Sequence, residues 1–229
     1  MLNVLNEAVP VECWSCSVGH NHSTLFCPHC SKIQPPPGGD FFSVFNMQPR
    51  LNIDLNALEA DFHRLSRKLH PDRFARAAQN EKEWSLADTA LINDAYRTLK
   101  DPIRRTEYLL KLLGNGADSA PKSKAEKGAG APADLLEEAF ELNMQLEEMR
   151  MARKTGAKDP EAENALQEAR TKFTALLSEV DAALRSAWTA WDAGDENVRG
   201  VEQKKMEALL DRRRYLSNLV RDVNEVLGA

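Results

Sequence analysis

Two runs of helix-breaking residues divide the chain. Pro35-Pro36-Pro37-Gly38-Gly39 admits no regular element and reads as a linker. Between 114 and 133, Gly114, Gly116, Pro121, Gly128, Gly130 and Pro132 stand among Ala, Ser and Lys and form a second linker. The 229 residues therefore separate into a short segment 1–39, a helix-rich domain 40–113, the linker 114–133 and a second helical domain 134–229. The expected fold class is all-α, and there is no internal repeat.

The helices follow from apolar spacing. Leu55, Leu58, Phe62, Leu65 and Leu69 recur at steps of three and four, with Asp54 placed as an N-cap. Pro71 ends that helix, because the residue before a proline avoids the α region. A second helix is expected from about Glu83 to Lys100. Its inner side would be Trp84, Ala87, Leu91, Ala95 and Leu99, and Asn80 with Glu83 resembles a capping box. Pro102 ends it, and Tyr108, Leu109, Leu112 and Leu113 suggest one more short helix. The first two form a helical hairpin.

Composition excludes some functions. With 42% hydrophobic and 28% charged residues the chain is an ordinary folded protein. No apolar run approaches the ~20 residues of a membrane helix. The net charge of −5 argues against nucleic acid as the main partner. No Lys or Arg precedes Lys32, and Glu7 and Glu12 sit where a transit peptide avoids acid. Either the protein is cytosolic or a presequence is missing from this sequence.

All four cysteines fall within eighteen residues, as Cys13-x-x-Cys16 and Cys27-x-x-Cys30. Two such pairs supply four soft thiolates, suited to tetrahedral Zn²⁺ or to an iron–sulfur site, with zinc favoured. Two disulfides are the alternative, which fits a secreted protein better than a helical one of this kind. His20, His22 or His29 could replace a ligand. The segment is too small to bury a core, so metal would supply most of its folding energy. A redox enzyme built on these pairs would need a βαβ pattern around one of them, and none is present.

The loop of the hairpin holds His70-Pro71-Asp72. Alone, such a tripeptide is a polar turn in which proline fixes φ and aspartate caps an amide. Its surroundings add a basic face: Arg64, Arg67, Lys68, Arg73 and Arg76 stand against one acid between Phe62 and Arg76. On an acidic protein, that face suits docking to an acidic partner surface.

The run His63-Arg64-Leu65-Ser66-Arg67-Lys68-Leu69-His70-Pro71-Asp72, followed by Ile92-Asn93-Asp94-Ala95-Tyr96-Arg97-Thr98-Leu99, closely resembles the J domain. The resemblance implies that His70, Pro71 and Asp72 contact the ATPase domain and interdomain linker of a seventy-kilodalton heat-shock chaperone and stimulate ATP hydrolysis there. It also places Arg64, Lys68 and Arg67 at that contact. It makes the chain a regulator of an enzyme, and not an enzyme itself.

The second helical domain reads as a three-helix bundle. Its first helix, 134–153, has a core stripe of Leu135, Ala139, Leu142, Leu146 and Met149. Leu136, Phe140 and Met144 form another stripe roughly 140° away. That second stripe either packs on a further element or binds a partner. The next helix, about 161–193, shows Leu166, Ala169, Phe173, Leu177, Val180, Leu184, Trp188 and Trp191, with Gly194 as its stop. The last, about 197–227, would bury Met206, Leu209, Leu216, Val220, Val223 and Leu227.

A J domain followed by such a bundle, without a Gly/Phe-rich segment, resembles the HscB-type co-chaperones, over about residues 40–227. Glu107-Tyr108-Leu109-Leu110-Lys111-Leu112 and Arg214-Tyr215-Leu216-Ser217-Asn218 carry that likeness. It implies delivery of an iron–sulfur cluster scaffold protein to the chaperone. The scaffold would dock on Leu136, Phe140, Glu141 and Met144, and on Arg214 and Tyr215. Glu137 departs from the family's bacterial pattern, which is apolar there, and the 114–133 linker is longer than the family's. Eukaryotic members are similar in carrying a two-CxxC module at the N-terminus, which implies a mitochondrial matrix protein, with the cytosol as the alternative. A J-protein for another client remains the second reading, its bundle serving stability or dimerisation; a second copy, as a weak homodimer, is the one further partner left open.

Overall fold

The computed structural model describes residues 10–21, 24–114, 133–155 and 159–228. It divides into two compact units, Met1–Leu113 and Gly114–Ala229.

The first unit opens with two knuckles of the same build. Cys13-Trp14-Ser15-Cys16-Ser17 and Cys27-Pro28-His29-Cys30-Ser31 each close with the serine amide donating to the first cysteine's carbonyl, at 2.9 Å in both. Each serine lies in the left-handed region, with φ of 57° at Ser17 and 60° at Ser31. Turning the chain back on itself brings the flanks within pairing distance. β1 (Pro10–Glu12) and β2 (Gly19–Asn21) pair antiparallel with Val11 opposite His20, and Phe26 bridges to Ile33. Among the described residues these short strands are what departs from the expected all-helical chain.

Asp40 then caps α1 (Phe41–Val44), accepting from the Phe42 and Ser43 amides. Asp54 caps α2 (Leu55–Leu69) as expected, accepting from the Asn56 and Ala57 amides. Its stripe buries Leu58, Leu65 and Leu69, while Leu55 stays exposed and Phe62 stacks on Tyr96 with ring centroids 4.1 Å apart. α3 (Gln79–Lys100) begins a turn earlier than its sequence suggests. Its N-terminal amide partner is Glu81, which accepts from the Ala78 N–H, so the expected Asn80–Glu83 box is not the one used. Its buried face is Glu81, Ser85, Asp88, Ile92, Ala95 and Leu99. Trp84 and Leu91 are only half-buried and Ala87 is exposed. The first half of this face is polar, so a search for apolar residues lands beside it.

α4 (Pro102–Gly114) is capped by Asp101, which accepts from the Ile103 and Arg104 amides. Buried Arg105 donates to the carbonyls of Leu51 and Leu99 and so satisfies an end of α3 that has no partner within the helix. Tyr108 accepts from the Phe41 amide at 2.8 Å and stacks on that ring, tying α4 to α1.

The second unit is the expected bundle. A 3₁₀ turn, Ala133–Leu135, leads into α5 (Leu136–Thr155), followed by α6 (Pro160–Ala193) and α7 (Glu196–Leu227). α6 and α7 pair along their length and α5 packs on both. Leu135, Ala139, Leu142, Leu146 and Met149 are all buried, as the stripe predicts. Asp195 caps α7, and Gly194 permits the tight turn before it: a Cβ there would lie 2.5 Å from Val198 Cγ1. On α7 the buried positions are Leu210, Leu219 and Val226, where the sequence suggests Leu209, Val220 and Leu227. Each is a pair of adjacent apolar residues, and residue type alone cannot choose between neighbours ~100° apart on a helix.

Candidate functional site

The four thiols converge. Their sulfurs lie within 4.8 Å of one another, with Cys13–Cys30 at 3.6 Å and Cys16–Cys27 at 3.8 Å. A disulfide would need ~2.05 Å, so the alternative of two disulfides fails in this arrangement. Four sulfurs at ~2.3 Å around one tetrahedral ion stand about 3.8 Å apart, which these edges match. Amide donors already point at the sulfurs: Ser15 to Cys13 and His29 to Cys27, each at 3.4 Å, and Gln34 Nε2 to Cys13 at 3.4 Å. Burial pushes the Cys13 thiol up, but the Ser15 and Cys16 amides and the neighbouring thiols outweigh it and hold it at about 6. For Cys16 the Val18 amide pulls down, yet burial and three neighbouring thiols drive it up to about 12.

Of the candidate histidines, His20 and His29 take no part in the cluster. His20 is buried and binds Gln34 Oε1 at 3.1 Å through Nε2 and Thr24 Oγ1 at 3.0 Å through Nδ1. His29 is exposed, and His22 lies outside the described residues. Gln34 is the supporting residue that spacing could not reveal, because its contacts to Cys13 and His20 join segments far apart in sequence.

The His70-Pro71-Asp72 turn is open to solvent at all three side chains. His70 ends α2 and starts a 3₁₀ turn, Pro71–Phe74, in which proline sits at the first position and the Asp72 amide donates to His70 Nδ1 at 3.3 Å. The Asp72 carboxylate lies 3.6 Å from the same nitrogen, so both local contacts of the ring are made at Nδ1. The turn is anchored from behind. Ser85 Oγ donates to the Leu69 carbonyl at 2.6 Å, and Thr89 reaches the same oxygen at 3.4 Å. Those two side chains of α3 occupy a carbonyl that the end of α2 would leave unpaired. Arg64, Arg67, Lys68, Arg73 and Arg76 are all exposed, and Arg64 is paired with Asp61 at 2.7 Å.

In the second unit, the other stripe of α5 faces solvent: Leu136 is 55% exposed, Phe140 67% and Met144 52%. Among the described residues of this unit nothing covers it, so the described bundle does not need it. Glu141 is exposed beside it. On α7, Arg214 is exposed and pairs with Asp211 at 3.1 Å, while Tyr215 is half-buried and its burial raises the phenol above its ordinary value. Arg212 grips Asp134 with both carboxylate oxygens, at 2.7 and 2.9 Å, and fixes the start of α5 against this part of α7. The Arg212 guanidinium lowers the Asp134 carboxyl.

Comparison with known proteins places this arrangement. No family model matches the chain. The iron–sulfur cluster co-chaperone protein HscB of Mus musculus is 31% identical over 219 residues, covering 93% of this chain and 81% of the mouse protein. The co-chaperone protein HscB homolog of Vibrio cholerae is 35% identical over 165 residues, 71% of this chain and 89% of that protein. The crystal structure of human co-chaperone protein HscB superposes with a TM-score of 0.66 at 27% identity, covering 94% of this chain and 98% of the human one. Chaperone HscB from Vibrio cholerae gives 0.55 at 29% identity, over 82% and 96%. The fold, the near-complete coverage and the identity agree, and the chain belongs to the HscB family of iron–sulfur cluster co-chaperones.

Proposed function

We propose that this protein stimulates the ATPase of a seventy-kilodalton heat-shock chaperone through His70, Pro71 and Asp72 and delivers an iron–sulfur cluster scaffold protein to it. The observation that carries the reading is the solvent-open turn at the end of a cationic helix, anchored from behind by Ser85. The turn offers an exposed imidazole, a rigid proline and a carboxylate. Arg64, Arg67 and Lys68 supply the charge that draws an acidic surface toward it. The chain contributes no reacting group. It acts by binding one state of the chaperone more tightly than another and so shifting that equilibrium.

The scaffold would dock on Leu136, Phe140, Glu141 and Met144 and on Arg214 and Tyr215. An apolar stripe that its own bundle leaves in water, edged by charge, supports this reading. Cys13, Cys16, Cys27 and Cys30 would hold Zn²⁺ as a closed four-thiolate site, with an iron–sulfur cluster the less suited occupant. Such an ion supplies folding energy and offers no open position for catalysis. The proposed compartment is the mitochondrial matrix.

The test is the chaperone's ATPase rate with His70→Gln. The variant should lose stimulation while its helical content and scaffold affinity stay those of the wild type. Normal stimulation by His70→Gln would refute the mechanism.

A further inference from the structure

The second knuckle and the hairpin enclose a cleft of about 860 Å³ within the first unit. One wall is Phe26, Pro28 and Lys32 of the knuckle, and the other is Arg64, Lys68 and Arg73 of the hairpin. Asn46, at the end of α1, forms part of the rim. The knuckle is locked in place there. Lys32 bonds Glu81 at 3.0 Å and the Lys68 ammonium sits 5.7 Å from the Phe26 ring centroid, while outside the cleft Trp14 of the first knuckle packs edge-on against Trp84 at 5.6 Å.

The charge of the cleft is one-sided. Its acid, Glu81, is buried and already paired with Lys32, whereas Lys68 and Arg73 form no ion pair among the described residues. Cations left without carboxylates along a partly apolar channel fit an acidic segment carrying apolar side chains. Arg73 and Phe74, in the 3₁₀ turn that begins at Pro71, continue the cleft directly into the His70-Pro71-Asp72 surface.

We propose that the knuckle is a working wall of the chaperone-docking surface: the cleft between it and α2 receives an acidic, apolar-bearing segment of the same chaperone that the turn engages. This rests on the proposed function. It adds that the metal-binding segment sets affinity for the chaperone, while the turn sets the stimulation reached when bound. Charges on the rim act mainly on encounter and affinity, so the two contributions separate experimentally.

The experiment uses the full, metal-loaded chain and measures chaperone ATPase against co-chaperone concentration. Pro28→Glu and Asn46→Asp each add an acid to the rim, one on the knuckle and one outside it; both positions are exposed and neither is a metal ligand. The expected result is a half-saturating concentration raised roughly threefold to tenfold by each, with maximal stimulation unchanged. Pro28→Lys should lower it, and all three differences should shrink at 1 M salt, where charges are screened beyond ~3 Å. Bound metal is measured for each variant; should Pro28→Glu lose it, Asn46→Asp decides alone. Wild-type half-saturation in Asn46→Asp and in metal-loaded Pro28→Glu overturns the proposal, and so does a lowered maximum without a change in affinity. His70→Gln runs beside them. If the wild type itself fails to stimulate, or His70→Gln equals it, the underlying function is wrong; if those controls behave and the rim variants do not, only the cleft is wrong.

Discussion

Asp88 is fully buried on α3, and neither of its carboxylate oxygens has a hydrogen-bond partner among the described residues. Burial alone pushes its carboxyl up to about 7. The folded chain thus keeps a proton that the unfolded chain releases near pH 4. Stability from this group is complete below about pH 4, falls as pH rises, and is lost above about 7. A shift of about three units sets a ceiling of roughly 4 kcal/mol. Asp88→Asn removes the ionisation but leaves an amide with unmet hydrogen bonds, at a cost of about 1–3 kcal/mol. The variant should therefore be more stable than wild type at pH 8, by about 2 kcal/mol, with the gap closing by pH 5; the slowest-exchanging amides of α3 report it. Burial separates roles on α5 in the same way. Leu142→Ala should cost about 2–5 kcal/mol, because it opens a cavity. Leu136→Ala and Phe140→Ala should each change stability by less than about 0.5 kcal/mol, since both side chains already face water. Combined with Tyr215→Ala, they should abolish binding to an iron–sulfur scaffold in calorimetry and spare basal chaperone stimulation.

Among the elements, the knuckles depend most on something outside the polypeptide. Cys13, Leu25, Cys27 and Ile33 are their buried apolar side chains, too few to fold a segment of this size alone. Chelating the metal should melt this segment and separate Trp14 from Trp84, a change visible in tryptophan emission. The far-ultraviolet helical signal should stay, since α2 and α3 hold each other through Leu58, Leu65, Leu69, Ile92, Ala95 and Leu99. A helical signal lost together with the metal would contradict that independence. The cysteine spacing was legible because a metal site is written in local sequence: two x-x steps define two chelating turns. The capping of α2 by Asp54 was legible for the same reason. The buried face of α3 was not. Glu81 is buried there because it serves the helix cap and a lysine from the knuckle, and Ser85 because it meets the end of α2; that lysine and that helix end are distant in sequence, and Asp88 is buried with no partner to mark it. On α7, adjacent apolar residues left a one-position choice that only packing makes.

Across the whole molecule, two units hold the two proposed interactions, the turn and its cleft in the first and the exposed α5 stripe in the second. The sequence places the stripe on a helix and the turn between two helices, because apolar spacing and a breaker between helices are local signals. Their exposure was not given by sequence: a second apolar stripe is equally compatible with a wider bundle, and the described bundle leaves it open. Support for the turn by Ser85 and Thr89 was likewise invisible, as hydroxyls on a helix carry no mark of the carbonyl they will meet. The measurement closest to the central claim is single-turnover ATP hydrolysis by the chaperone, with this chain, with an iron–sulfur scaffold protein, and with both. The account predicts that the chain alone raises the rate, that the pair raises it by more than the sum of the two, and that His70→Gln removes both gains. A rate untouched by the chain, or one raised equally by the His70→Gln variant, would contradict it.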